Sequence, residues 1–438
     1  MLLSFFSIIR LVLMSELVSV TVISKNGDRG QDVAIPGWTV TSPLQITPLG
    51  LQQHVRLGEV LKEKYVDELK FLAPKFSPKN IYSRASVSER TMMSASAQLA
   101  GIFPLGAGPN NMFNFPVVSE LQHDDYFANA PQLCPSGRKY WEETQKSEEY
   151  VQSMAKFDQL LQDASTLLDF DVTLYNLENV YQAMEYQNKY SKLNPEQTTV
   201  FNQLAEALHT QELYKYPNDD ANWLTVANGL FFYDLFFGNP ARDGVLFSTY
   251  YNETLNPKQL RLYTMHSSTV FSVLRSLNAT VSSRPYSAAA IIIELYAFGD
   301  YPRFTDGYLK FYYQPDESSA NKGHLWNPFT PRGCVKPTDD PDGCKLEDIQ
   351  EEFFDHVFSA EEREDYITLV CSRKPSDRYA PAKYRKQTPG RTGLHTTILT
   401  IFGLSLFVCI ALIVVGCCAM QSRSRKAQSY AILASEPT

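Results

Sequence analysis

The chain has 438 residues, 44% of them hydrophobic and 20% charged, so it can bury a large core and is not a disordered or low-complexity chain. A net charge of −8 argues against a nucleic-acid partner, whose phosphates call for a basic surface. There is no internal repeat and no cysteine spacing of the kind that holds zinc.

Residues 1–15 open with a short apolar run, MLLSFFSIIRLVLM, too brief to span a bilayer, and are expected to be a secretory signal peptide despite Arg10 in the run. Val18, Val20, Val22 and Ile23 then form a β-branched stretch that predicts a buried strand. It stops at Lys25-Asn26-Gly27-Asp28-Arg29-Gly30. In α/β sheets ligands bind beyond the carboxyl ends of strands, and cations with an amide at that place suit phosphate or carboxylate. Next comes a helix with Thr47 as N-cap and Pro48 in its first turn. Ile81-Tyr82-Ser83 reads as a second strand with Arg84 at its end, before a helix rich in Ala, Met and Leu.

In this order the motifs resemble those of the histidine acid phosphatases of the lysosomal and prostatic type. Ile46-Thr47-Pro48-Leu49-Gly50 is similar to the family's Leu-Thr-x-x-Gly, and Arg84-Ala85-Ser86 through Arg90-Thr91 to its Arg-Ser-Thr-x-x-x-Arg-Thr. Met93-Ser94-Ala95 and Gly101-Ile102-Phe103-Pro104 also match, and the resemblance covers Glu16 to Arg385. It implies an α/β fold, a histidine-phosphatase (phosphoglycerate-mutase-like) core with a mostly parallel sheet flanked by helices. It also implies an inserted helical cap at about residues 131–237, where SEEYVQSMAKFDQLLQDASTLL and VFNQLAEALHTQELYKY are amphipathic at helical period. No cofactor or metal is implied, and homodimers are common in the family.

Further along, Arg261 to Asn278 predicts a third strand and helix with His266-Ser267 at the junction. Ala288 to Ala297 and Tyr308 to Tyr313 predict two more strands. Four cysteines, Cys134, Cys334, Cys344 and Cys371, lie in the body of the chain; spacing alone allows three connectivities, and the resemblance pairs Cys334 with Cys344 and Cys134 with Cys371. Asn252 and Asn278 head glycosylation triplets. A stalk at 386–395 leads to residues 396–420, an apolar run without charge that is expected to cross a membrane once, with Arg423, Arg425 and Lys426 on the cytoplasmic side. The expected product is a single-pass type I protein of the lysosome, endosome or plasma membrane, its domain at 16–385 lumenal or extracellular. In the tail, residues 421–438, Tyr430 and Leu433 form a tyrosine-based sorting pattern that would contact a clathrin adaptor.

In the family the first strand ends in Arg-His-Gly-x-Arg-x-Pro, whose histidine attacks phosphorus while arginines clamp the oxygens, and a later His-Asp supplies the proton. Here the nucleophile position is Asn26, whose amide lone pair is delocalised, and the proton-donor position is Ser267, far too weak an acid. Lys25 replaces the first arginine and Gln31 the proline. Arg29, Arg84 and His266 match the pattern, and with Lys25 are expected to bind phosphate, His266 as a third cation at acid pH. The expected function is a membrane-anchored, acid-phosphatase-like glycoprotein that binds phosphate or a phosphomonoester and turns it over poorly. The alternatives are a working phosphatase with Ser24, Ser267 or His266 as substitute nucleophile, and an interaction module with no use for the pocket.

Overall fold

The structure is a computed structural model that describes residues 15–38, 44–123, 125–217, 259–279, 284–315, 327–352 and 371, apart from 105–114, 299–306, 338–339 and 341. The chain divides into residues 1–378 and 379–438, and every described residue belongs to the first unit. None of the described helices is long and apolar enough to cross a membrane. The expected membrane run at 396–420, the tail with Tyr430 and Leu433, and Asn252 lie outside the described residues.

The apolar run near the N-terminus becomes β1 (Ser15–Lys25), with eight consecutive buried positions. A strand reads this way when both faces of its sheet are covered. A bulge between Leu17 and Ser19 swaps the faces, so Leu17, Val20 and Val22 meet one core while Val18 and Ile23 meet the other. The helix α1 (Pro48–Lys62) follows, with Thr47 Oγ1 accepting from the Gly50 N–H at 3.0 Å. Then come β2 (Ile81–Ala85) and α2 (Glu89–Ile102), the latter capped by Ser88. After the helical segment, β3 (Gln259–Met265), α9 (Ser267–Ser276), β4 (Ala290–Phe298) and β5 (Gly307–Gln314) complete the core, with two-residue strands β6 (Asn327–Pro328) and β7 (Cys344–Lys345) at its edge.

The sheet order is β2-β3-β1-β4-β5-β6, with β7 also on β5. Only β2–β3 and β3–β1 are parallel; β4 is antiparallel to β1 and the remaining pairs are antiparallel too. The expectation of a mostly parallel sheet is therefore corrected to a mixed one. The cause is the path after α9. By Ala288 and Ala289 the chain is back at the end of β1, bonded to Asn26 O and Lys25 N, so β4 must run away from that end. One face of the sheet packs Leu57 and Leu61 of α1 and Leu99 and Ile102 of α2, and the other packs Val270, Val273 and Leu274 of α9.

Between β2 and β3 the chain makes α3 (Tyr126–Leu133), α4 (Pro135–Thr144), α5 (Glu148–Ala155), α6 (Asp158–Leu168), α7 (Leu177–Tyr190) and α8 (Pro195–Lys215). Helices α5 to α8 close around Tyr150, Met154, Leu161, Val180, Met184 and Leu204, a third core that also takes in Ile35 from the loop after β1. The expected helical cap is thus present as far as residue 217, where description stops. Both disulfides implied by the resemblance form, Cys134–Cys371 and Cys334–Cys344.

The parallel strands β1, β2 and β3 all end on one side, and two glycines hold the first loop there. A Cβ on Gly27 would lie 2.2 Å from Gly50 O, and one on Gly50 would lie 2.2 Å from Asp28 O. These are backbone contacts that no side-chain rotation relieves. We expect Gly50→Ala to lower stability by about 2 kcal/mol or more in urea unfolding, with the loop at 26–30 displaced.

Candidate functional site

The loop after β1 is fixed by backbone first: the Asn26 N–H donates to Met265 O at 2.8 Å, the Gly27 N–H to Ser94 Oγ at 3.0 Å, and the Asp28 N–H to Gln53 Oε1 at 2.8 Å. It forms one wall of a cavity of about 170 Å³ with Arg90, His266 and Ser267, and faces Glu178, Gln182, Glu185 and Tyr186 on α7 and Lys215 at the end of α8. The structure thus brings Lys25, Asn26, Arg29, His266 and Ser267 together, as the sequence predicts.

Asn26 is 3% exposed, and its Nδ2 donates to Gly27 O at 2.8 Å. Lys25 donates from Nζ to Pro285 O at 2.9 Å; burial pulls its pKa down to about 8 against the opposing pull of Glu185. The guanidinium of Arg29 is bonded to the Asp32 carboxylate and to Gln182 Oε1. Asp28 turns away from chemistry: its carboxylate accepts from Lys189 Nζ and Tyr190 Oη at 2.7 Å and from Thr47 Oγ1 at 2.8 Å.

Arg84 is not part of the cavity lining. It is 5% exposed and paired with Asp125 at 2.6 Å and Glu120 at 3.2 Å, over the Phe127 ring. Arg84, expected to clamp phosphate, is thus engaged by two carboxylates, and within the Arg84 to Thr91 block it is Arg90, in the first turn of α2, that lines the cavity. Arg90 has no carboxylate within ion-pair distance among the described residues, its Nε has no hydrogen-bond partner, and its Nη2 lies 3.4 Å from His266 Nδ1. Desolvation and the charge of Arg29 lower its pKa to about 10, still a cation at any working pH.

That contact fixes the state of His266. A guanidinium only donates, so Nδ1 is the lone-pair nitrogen, and the proton sits on Nε2, 3.0 Å from Ser86 Oγ. Burial, then Arg90, then Arg29 lower its pKa to about 3. The expectation of a charged His266 at pH 5 is therefore corrected to a neutral ring. Ser267 begins α9 and its Oγ accepts from Arg284 Nη2 at 2.7 Å; Arg284 also pairs with Glu178 and, at 3.3 Å, with Glu212. Ser24, the other serine considered as a nucleophile, is fully buried and lies off the cavity.

The sequence reading missed the α7 residues. Their spacing at 178, 182, 185 and 186 puts them on one helical face, a pattern visible in the sequence but equal to any solvated face until the helix is placed. Asn278, one of the glycosylation candidates, is exposed just after α9, with φ 57°.

Comparison with known proteins places the chain in a family. A family model for the histidine phosphatase superfamily (branch 2) matches residues 23–305. Lysosomal acid phosphatase of Xenopus laevis is 30% identical over 194 residues, 41% of this chain and 44% of that protein. The human prostatic acid phosphatase match, 32% identical, covers 33% of this chain and 40% of the relative. The chain thus spans less than half the length of these curated relatives, whereas the rat lysosomal acid phosphatase match, 25% identical, covers 75% of both. Among solved structures, the apo form of a Hafnia alvei phytase superposes with a TM-score of 0.58 at 13% identity, over 82% of this chain and 98% of that one, which speaks to the fold alone.

The two arginines separate by experiment. Arg84→Ala strands the fully buried Asp125 and is expected to cost about 3–5 kcal/mol in urea unfolding, whereas Arg90→Ala leaves stability within about 1 kcal/mol and abolishes calorimetric binding of inorganic phosphate. His54 gives a pH signature. It is fully buried, donates from Nε2 to Lys25 O at 3.0 Å, and burial lowers its pKa from 6.5 to about 4. Below pH 6.5 the unfolded chain takes up a proton that the folded one refuses, so this contribution is present above pH 6.5 and lost as pH falls toward 4. At pH 5 the loss is about 2 kcal/mol, and His54→Gln is expected to flatten that part of the stability–pH curve.

Proposed function

Because the chain belongs to the histidine phosphatase superfamily, branch 2, and to the histidine acid phosphatases within it, we propose that it is a phosphate-binding member in which hydrolysis has been lost or reduced to a trace. The observation that carries this is Arg90: a guanidinium in a cavity, with no carboxylate within ion-pair distance among the described residues, set beside a loop in which the attacking and proton-donating positions hold Asn26 and Ser267. A desolvated arginine is stabilised by a planar oxyanion that accepts from two of its N–H groups. Phosphate seated against Arg90, with Lys25 and the open N–H groups at the start of α9, meets positive charge on three sides.

Among the described residues, those at the attacking and proton-donating positions are not set up to carry the reaction. The Asn26 amide is donated to Gly27 O, the His266 lone pair is directed at Arg90, and the Ser267 hydroxyl accepts from a cation and donates to no base among the described residues. Loss of a nucleophile lowers turnover by about 10⁴–10⁶-fold, and binding and orientation leave only a residue of rate. The uncharged run at 396–420 supports a membrane anchor and the glycosylation triplets a lumenal or extracellular domain. The names of the lysosomal relatives support an endosomal or lysosomal site, with Tyr430 and Leu433 offered to a sorting adaptor.

Hydrolysis of p-nitrophenyl phosphate at pH 5 tests the reading, natural protein beside the triple variant Lys25→Arg, Asn26→His, Ser267→Asp. The natural chain is expected to be silent and the variant to exceed it by about 10²-fold or more. Arg284 would sit against the new aspartate and hold it ionised, so the variant's rate should climb as pH falls below 5. Ready turnover by the natural chain would overturn the proposal and favour a phosphatase with another nucleophile.

A further inference from the structure

The cavity has two walls of opposite sign, and the second has no use in holding phosphate. Opposite the loop, α7 presents Glu178 and Glu185, and both carboxylates stay charged. Arg284 pulls the first down to about pKa 2; burial works against ionisation of the second, and Lys189 and Lys25 outweigh it. Their protein contacts all fall on one oxygen. Glu178 Oε1 takes Arg284 and, at 3.1 Å, Gln182 Nε2, and Glu185 Oε1 takes Lys189 at 3.2 Å. Oε2 of each has no hydrogen bond or ion pair among the described residues, and the side chains are 40% and 20% exposed, so a small molecule in the cavity can reach them.

A second charge-bearing group is equally open on the other side. Arg90 has no carboxylate within ion-pair distance among the described residues, whereas Arg29 is already closed by Asp32 and Gln182. A site for a polyanion would not put two ionised carboxylates, each with a vacant acceptor, into a cavity of about 170 Å³. A ligand with phosphate at one end and an ammonium at the other matches both walls, because the ammonium supplies N–H donors to acceptors that have none.

Resting on the reading of this cavity as a phosphate site, we propose that its ligand class is the amine-bearing phosphate monoester, its phosphate on Arg90 and its ammonium on the free oxygens of Glu178 and Glu185. Such a molecule is small, carries one negative charge fewer than a plain alkyl phosphate, and is discriminated from it by the acidic wall alone. The α7 carboxylates are then specificity determinants, and the catalytic substitutions leave them intact.

The test compares two probes with the same two-carbon chain on the full protein, O-phosphoethanolamine and ethyl phosphate, by calorimetry at pH 7. The amine-bearing probe is expected to bind about 5-fold or more tightly. Glu185→Gln and, separately, Glu178→Gln should bring that ratio toward 1, by weakening phosphoethanolamine and by relieving the repulsion on ethyl phosphate. Equal affinities in the natural chain, or a preference that survives both substitutions, overturn the amine assignment while the phosphate site stands. Failure of ethyl phosphate and inorganic phosphate to bind at all overturns the phosphate reading and this one with it. The comparison on the natural chain decides the matter even if neither variant folds.

Discussion

The hydrogen bond from the Asn26 N–H to Met265 O ties the end of β1 to the end of β3, and the rest of the site hangs from it. It brings Lys25–Gly30 and His266–Ser267 to one place from residues 240 apart in the chain. The glycine contact between Gly27 and Gly50 then presses the loop against the start of α1, and Thr47 serves both as cap of that helix and as a donor to Asp28. All of this is backbone or near-backbone. The scaffold of the loop therefore does not depend on the identity of side chain 26.

Charge in the site divides into groups that hold the fold and groups that remain available. Arg84 satisfies the buried Asp125, and Arg284 joins Glu178, Glu212 and Ser267. Removing such a cation leaves an uncompensated charge in low dielectric, so its role is structural by energetics. Away from the cavity, Glu294 is held in the same fashion by Lys64 at 2.6 Å and the Tyr65 hydroxyl at 2.7 Å, where a π-helical turn at Glu63–Glu68 extends α1. Arg90 breaks this pattern: among the described residues it has no ion-pair partner, and its Nη2 lies against the His266 imidazole. Partner lists, more than residue type, separate a clamp from a strut.

Much of the fold was legible because its signals are local. The β-branched run Val18–Ile23, the Thr47-Pro48 cap and the apolar stretch before Tyr296 each specify an element without help from the rest of the chain. The direction of β4 was not legible, since it depends on where residues 277–289 lead the chain, and no periodicity encodes a return path. The exchange of Arg84 for Arg90 failed for a related reason. Both arginines flank one strand–helix junction, and only the placement of α2 against β3 says which side chain enters the cavity. The neutral state of His266 required Arg90 in place, because a reference pKa near 6.5 carries no knowledge of a neighbouring guanidinium.

The setting of Ser267 is strongly positive. Ser267 heads α9, whose first N–H groups carry the positive end of the helix dipole, and Arg284 adds a full charge beside it. A proton donor works by having a neutral form at the pH of catalysis, and both neighbours disfavour that form of any carboxylic acid placed there. The same two features favour a bound anion. The end of β3 is therefore a place of fixed positive potential, which favours an anion over a neutral acid.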